Sequence, residues 1–159
     1  MGFGGRRASK AAVTDSVTVF LLDENVLREL HPKGDARVRA WRTTVTDADL
    51  RISVMTLFEK RRGAERLAKS DPARATKLIA AIDVLETSYG ARLVPIDGPV
   101  VAEWARLLGT KDKNQRDRVL AATARVHGFV LVTRNIDDVR GCGVQVLNPF
   151  KTNPQVETV

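Results

Sequence analysis

The sequence predicts an α/β fold of three layers, α/β/α, with a mainly parallel sheet. Residues 17–22 (Val-Thr-Val-Phe-Leu-Leu) and 129–133 (Phe-Val-Leu-Val-Thr) are near-continuous apolar and β-branched runs, the pattern of strands buried on both faces. Strand-like and helix-like segments then alternate from end to end, the order that builds a parallel sheet with helices on both sides. The 159 residues suffice for one domain that buries most of its apolar surface without staples.

Each element has its own signal. The first strand stops at Asp23, a carboxylate that either caps a helix over residues 26–30 or sits where open α/β sheets bind ligands, beyond the carboxyl ends of the strands. Residues 35–41 place Val38 and Trp41 three apart, as in a short amphipathic helix. Residues 50–55 alternate as a second strand. Thr56 and Glu59 fit a capping box and start a helix that runs to residue 67. Asp71-Pro72 opens a helix over 73–88 with Leu78, Ile82 and Leu85 as its buried stripe. Residues 92–96 read as a short strand whose Pro95 favours an edge. Asp97 caps a helix closed by Gly109. A polar, basic loop over 110–115 precedes a helix over 116–127, the strand at 129–133 and a last strand over 144–147. Residues 1–15 read as a flexible basic leader, 16–150 as the folded domain and 151–159 as a flexible tail.

Composition narrows the chemistry. The basic leader is followed by no apolar segment of signal-peptide type and no run is long enough to span a bilayer, so the expected location is the cytoplasm. A lone cysteine, Cys142, can form neither an intrachain disulfide nor a thiolate metal cluster. With only His31 and His127 besides, zinc chemistry is effectively excluded, and His127-Gly128 has the character of a helix end. A net charge of +7 favours polyanionic partners such as nucleic acid.

Three acids stand at comparable places: Asp23 after the first strand, Glu59 in the first turn after the second, and Asp117 in the first turn of the helix before the fourth. In a parallel sheet these points converge on one edge. Asp117 is the most informative, because Leu120, Ala121 and Ala124 follow at i+3, i+4 and i+7 and turn its side chain toward the core. Asp is almost never buried unless paired or bound to something. Glu59 has a simpler reading as part of the capping box, with Arg62 at i+3 as its ion-pair partner. Carboxylates drawn together raise one another's pKa unless a cation neutralises them, and an all-oxygen donor set selects Mg²⁺ or Mn²⁺. Such an ion activates water for displacement at phosphorus. Arg61, Arg62, Arg66, Lys111, Lys113, Arg116 and Arg118 could then form a track for a nucleic-acid backbone. Beyond the fourth strand, Asn135 reads as a turn cap and Asp137 and Asp138 as an acidic loop.

Five blocks occur in order: Leu21-Leu-Asp-Glu-Asn-Val26, Ser53-Val-Met-Thr-Leu-Phe-Glu59, Asp117-Arg-Val-Leu-Ala-Ala-Thr-Ala124, Leu131-Val-Thr-Arg-Asn-Ile-Asp-Asp138 and Val146-Leu-Asn-Pro-Phe150. Together they resemble the PIN-domain toxins of the VapC and FitB type over nearly all of residues 17–150. The resemblance implies a Mg²⁺- or Mn²⁺-dependent endoribonuclease with an RNA substrate, a homodimer, held inactive by a cognate antitoxin. It places Asp23, Glu59 and Asp117 on the family's metal-binding acids. The fourth acid of the family falls either at Asn135, an amide here, or at Asp138, the better candidate. Asn25, Thr133, Asn135, Arg62 and Arg116 are the expected substrate contacts. Two departures stand out: Glu24 replaces the usual Thr, and Lys113-Asn-Gln-Arg116 replaces a small, apolar run. Two other readings compete, a basic nucleic-acid-binding module whose acids are only caps, and a metal-dependent nuclease acting on DNA.

Overall fold

The computed structural model describes residues 17–159; the leader expected over residues 1–15 lies outside them. The chain runs β1 (Phe20–Leu22), α1 (Glu24–Leu27), α2 (Ala36–Arg42), β2 (Leu50–Ser53), α3 (Val54–Ala68), α4 (Pro72–Tyr89), β3 (Leu93–Val94), α5 (Gly98–Leu108), α6 (Gln115–His127), β4 (Val130–Val132), β5 (Gln145–Leu147) and β6 (Glu157–Thr158). The strands form one sheet in the order β3-β2-β1-β4-β5-β6. The first five are parallel and β6 is antiparallel to β5. From β1 the connections run first toward β2 and β3, and later to β4 and β5 on the other side. The strand order therefore reverses between β1 and β4, and a crevice opens there beyond the strand ends.

Alternation along the strands divides the interior into two layers. Leu21, Leu131 and Val146 pack with Leu120, Ala121 and Ala124 of α6 on one face. Leu22, Val130, Val132 and Leu147 pack with Val26, Val38, Trp41 and Tyr89 on the other. The register aligns Leu22 with Val132, so the residues that follow, Asp23 and Thr133, leave the sheet side by side. No described helix is long and apolar enough to cross a membrane.

Several elements differ from the sequence reading. Val17 is 68 % exposed, and β1 begins three residues later, at Phe20. The second strand ends at Ser53, whose hydroxyl accepts from the Met55 N–H at 3.0 Å and caps α3. Thr56 is thus inside the helix and buried, and the expected capping box does not form. In α4 the buried stripe is Ala75, Ile82 and Tyr89, seven residues apart, whereas Leu78 is 38 % exposed and Leu85 half-buried. Residues 151–159, expected to form a flexible tail, carry β6, and the main chains of Val144 and Val159 bond each other reciprocally at 3.1 Å. A two-residue strand shows no periodicity, so only its pairing identifies it.

Candidate active site

Asp23 is fixed by the sheet it leaves. Its N–H donates to the Val132 carbonyl at 2.9 Å, continuing the β1–β4 ladder one residue past the strand. Its carboxylate then serves two purposes. Oδ1 accepts from the Glu24 N–H at 2.7 Å and caps α1, while Oδ2 accepts from the Thr133 hydroxyl at 2.7 Å and the Asn25 amide at 3.3 Å. Cap and site residue are therefore compatible roles for one side chain. Asp23 is only 3 % exposed, and three donors are aimed at its carboxylate. The Thr133 hydroxyl also accepts from the Asn135 N–H at 3.0 Å, and Asn25 Oδ1 accepts from the Arg134 N–H at 3.2 Å. These bonds clamp the β4 exit loop onto the β1 exit loop. Replacing Thr133 with Val keeps the volume and strips the clamp's donor from a buried carboxylate, an expected stability loss of about 1.5–3 kcal/mol measurable by thermal denaturation.

Asp117 lies on the third residue of α6, 8 % exposed, pointing along the apolar stripe as the spacing predicts. Its carboxylate accepts no hydrogen bond from the described residues, and its nearest cation is Arg116 Nη2 at 3.8 Å. Burial pushes its pKa from 3.8 up to about 6; Arg116 opposes that rise, and the charges of Asp23, Asp138 and Glu59 add to it. The other three acids named from sequence therefore all act on Asp117. Asp138 is half-buried in a 3₁₀ turn over Ile136–Val139, whereas its neighbour Asp137 is exposed and paired with Arg140. Asn135 enters through its main chain.

Glu59 falls in the second turn of α3 because the helix starts at Ser53, so capping no longer accounts for it. Its partner is Arg116 Nη1 at 2.7 Å, across the crevice, and not Arg62, which is exposed. The Glu59 and Asp117 carboxylates draw the Arg116 pKa above its usual value, with a smaller effect from Asp23. Glu24, the replacement for Thr, turns to Lys60 Nζ at 3.1 Å and is neutralised there. Sequence reasoning missed this pair and the Arg116–Glu59 pair, because both join residues from different elements. Of the anticipated basic track, Arg61 is tied to Asp83 and Glu86, and Arg118 to the Leu107 carbonyl and Cys142 Sγ. Arg62, Arg66, Lys111 and Lys113 remain exposed.

Chemically, the donor set suits a hard divalent cation: oxygen ligands only, with one buried carboxyl that accepts no hydrogen bond from the described residues. Among the described residues, no three acidic, histidine or cysteine side chains stand close enough to close on one ion as they are oriented. The Arg116 guanidinium lies among the acids instead.

Comparison with known proteins agrees with this fold. The chain is 29% identical over 138 residues to Toxin FitB of Neisseria gonorrhoeae, covering 83% of this chain and 99% of that protein. It is 28% identical over 139 residues to the VapC ribonuclease Y4jK of Sinorhizobium fredii, covering 84% and 99%. The crystal structure of FitAcB from Neisseria gonorrhoeae superposes with a TM-score of 0.73 at 29% identity, covering 84% of this chain and all of that one. The fold recurs in a toxin-antitoxin complex from Klebsiella pneumoniae, at 21% identity and a TM-score of 0.56, covering 83% and 98%. The PIN domain profile matches residues 20–140. The chain belongs to the PIN domain family, and it resembles that family's FitB and VapC toxins over more than four-fifths of its length.

Proposed function

We propose that this protein is a Mg²⁺- or Mn²⁺-dependent endoribonuclease, the toxin of a toxin-antitoxin pair, which hydrolyses phosphodiester bonds in RNA. The observation that carries the reading is a carboxyl, Asp117, buried beside the crevice where strand order reverses, its pKa raised first by burial and further by the charges of Asp23, Asp138 and Glu59.

Asp23 and Asp117 are the primary ligands in this proposal, Glu59 binds directly or through water, and Asp138 completes the set. A divalent ion held there supplies Lewis acidity at the phosphate and a water activated at neutral pH. The chain's own residues do the rest. Thr133 and Asn25 hold Asp23 in its rotamer through their hydrogen bonds. Arg62 and Arg116 are the proposed phosphate contacts, with Asn25, Thr133 and Asn135 along the crevice. The antitoxin, a homodimeric assembly and a cytoplasmic location rest on the likeness to FitB and VapC toxins.

The test is side-by-side digestion of single-stranded RNA and DNA with Mn²⁺ or with EDTA. The proposal expects cleavage of RNA that EDTA abolishes. Cleavage of DNA alone moves the assignment to a DNA nuclease, and nucleic-acid binding that is indifferent to EDTA makes the protein a binding module.

A further inference from the structure

We propose that Arg116 is a built-in counter-cation of the acidic crevice, competing with a divalent ion for Glu59 and Asp117 and swinging out when that ion binds. The proposal rests on the metal reading above and adds a residue that sets how tightly the ion is held.

Three observations support it. Arg116 bonds Glu59 from a different element at 2.7 Å and stands 3.8 Å from Asp117 on the other side, so one guanidinium spans two of the proposed ligands. The side chain sits in the first turn of α6, where the helix dipole disfavours a cation; its placement is explained by the acids and not by the helix. Its side chain is also 42 % exposed, and the loop before it ends in Asn114, a non-glycine residue with φ of 57° and no side-chain cap bond to α6. An outward rotamer therefore meets solvent, and gives up only the pairing with Glu59 and the approach to Asp117.

The charge count gives the direction. One guanidinium offsets one of the carboxylates, and a divalent ion offsets two; both cannot occupy the same carboxylate oxygens without strong like-charge repulsion at a few ångströms. Binding of the ion must displace the arginine, and the lost ion pair weakens the apparent affinity. Removing the arginine removes the competitor and leaves the acids repelling one another until metal arrives.

The experiment is calorimetric titration of MnCl₂ into the full chain, wild type beside Arg116→Ala and Arg116→Gln, with melting curves in EDTA and in Mn²⁺. Both variants are expected to bind Mn²⁺ roughly tenfold tighter than wild type. They should also melt lower than wild type in EDTA and gain more on adding Mn²⁺. Equal or weaker Mn²⁺ affinity in the variants overturns the role of Arg116 while leaving the metal reading intact. Absence of Mn²⁺ binding in all three proteins ends both.

Discussion

Asp23→Asn is expected to lower RNA cleavage by at least about 10²-fold while the protein still folds. The size follows from position. Asp23 leaves β1 at the point where strand order reverses, and it is the acid whose orientation is most completely determined, by the Glu24 N–H, the Thr133 hydroxyl and the Asn25 amide. An asparagine is nearly isosteric but carries half the acceptor capacity and no charge. Its amide nitrogen must face one of those donors, a cost of about 1–3 kcal/mol, within what a domain of this size tolerates. Cleavage by the folded variant at the wild-type rate would remove Asp23 from the chemistry and leave it as the α1 cap alone.

Asp117→Asn produces the second large effect, and its sign depends on pH. The carboxyl titrates at about 6 in the folded protein against 3.8 in a free chain, so the folded state holds the proton more tightly than the unfolded state. The stability supplied by that proton is fully present below about pH 4 and is lost as pH rises through 6. Asparagine mimics the neutral form at every pH. In EDTA the variant should match wild type near pH 4 and exceed it above pH 6, by at most about 3 kcal/mol from two units at 1.36 kcal/mol each. Residual solvent contact reduces that, and ~1–2 kcal/mol is expected. Added Mn²⁺ should reverse the order, stabilising wild type and leaving the variant unchanged. Chemical denaturation at pH 4 and pH 8 reads the first part, and an identical difference at both pH values would mean that ionising Asp117 costs the fold nothing.

The features legible in the sequence are those written in local periodicity. The apolar runs placed β1 and β4, and the i+3, i+4, i+7 stripe after Asp117 predicted its burial, which the 8 % exposure bears out. The caps at Asp71 and Asp97 stand where the sequence indicated. Features that depend on partners distant in sequence were not legible. Ser53 and Thr56 are both plausible caps, and the choice is made by β2, which pairs with β3 up to Ser53↔Val94 before it can turn into α3. Shifting the helix start by three residues changed the meaning of Glu59, from a cap component to a side chain aimed across the crevice. The seat of Arg116 is a consequence of that shift, since its partner lies 57 residues away. Arg62, the local candidate at i+3, lost to a longer-range pairing because Glu59 points toward α6. Leu78 failed for a related reason: the α4 face that packs on Leu57 and Ala64 of α3 is set by Ile79 and Ile82, and the sequence alone offers two adjacent stripes.

The central claim is that acids separated by tens of residues share one divalent ion at the exit of β1 and β4. Crystals grown with MnCl₂ and measured at the manganese absorption edge test it directly. The account predicts a single dominant anomalous peak among Asp23, Glu59, Asp117 and Asp138, with the Arg116 guanidinium moved away from Glu59. Manganese bound elsewhere on the chain, with Arg116 still seated on Glu59 at saturating Mn²⁺, would contradict it.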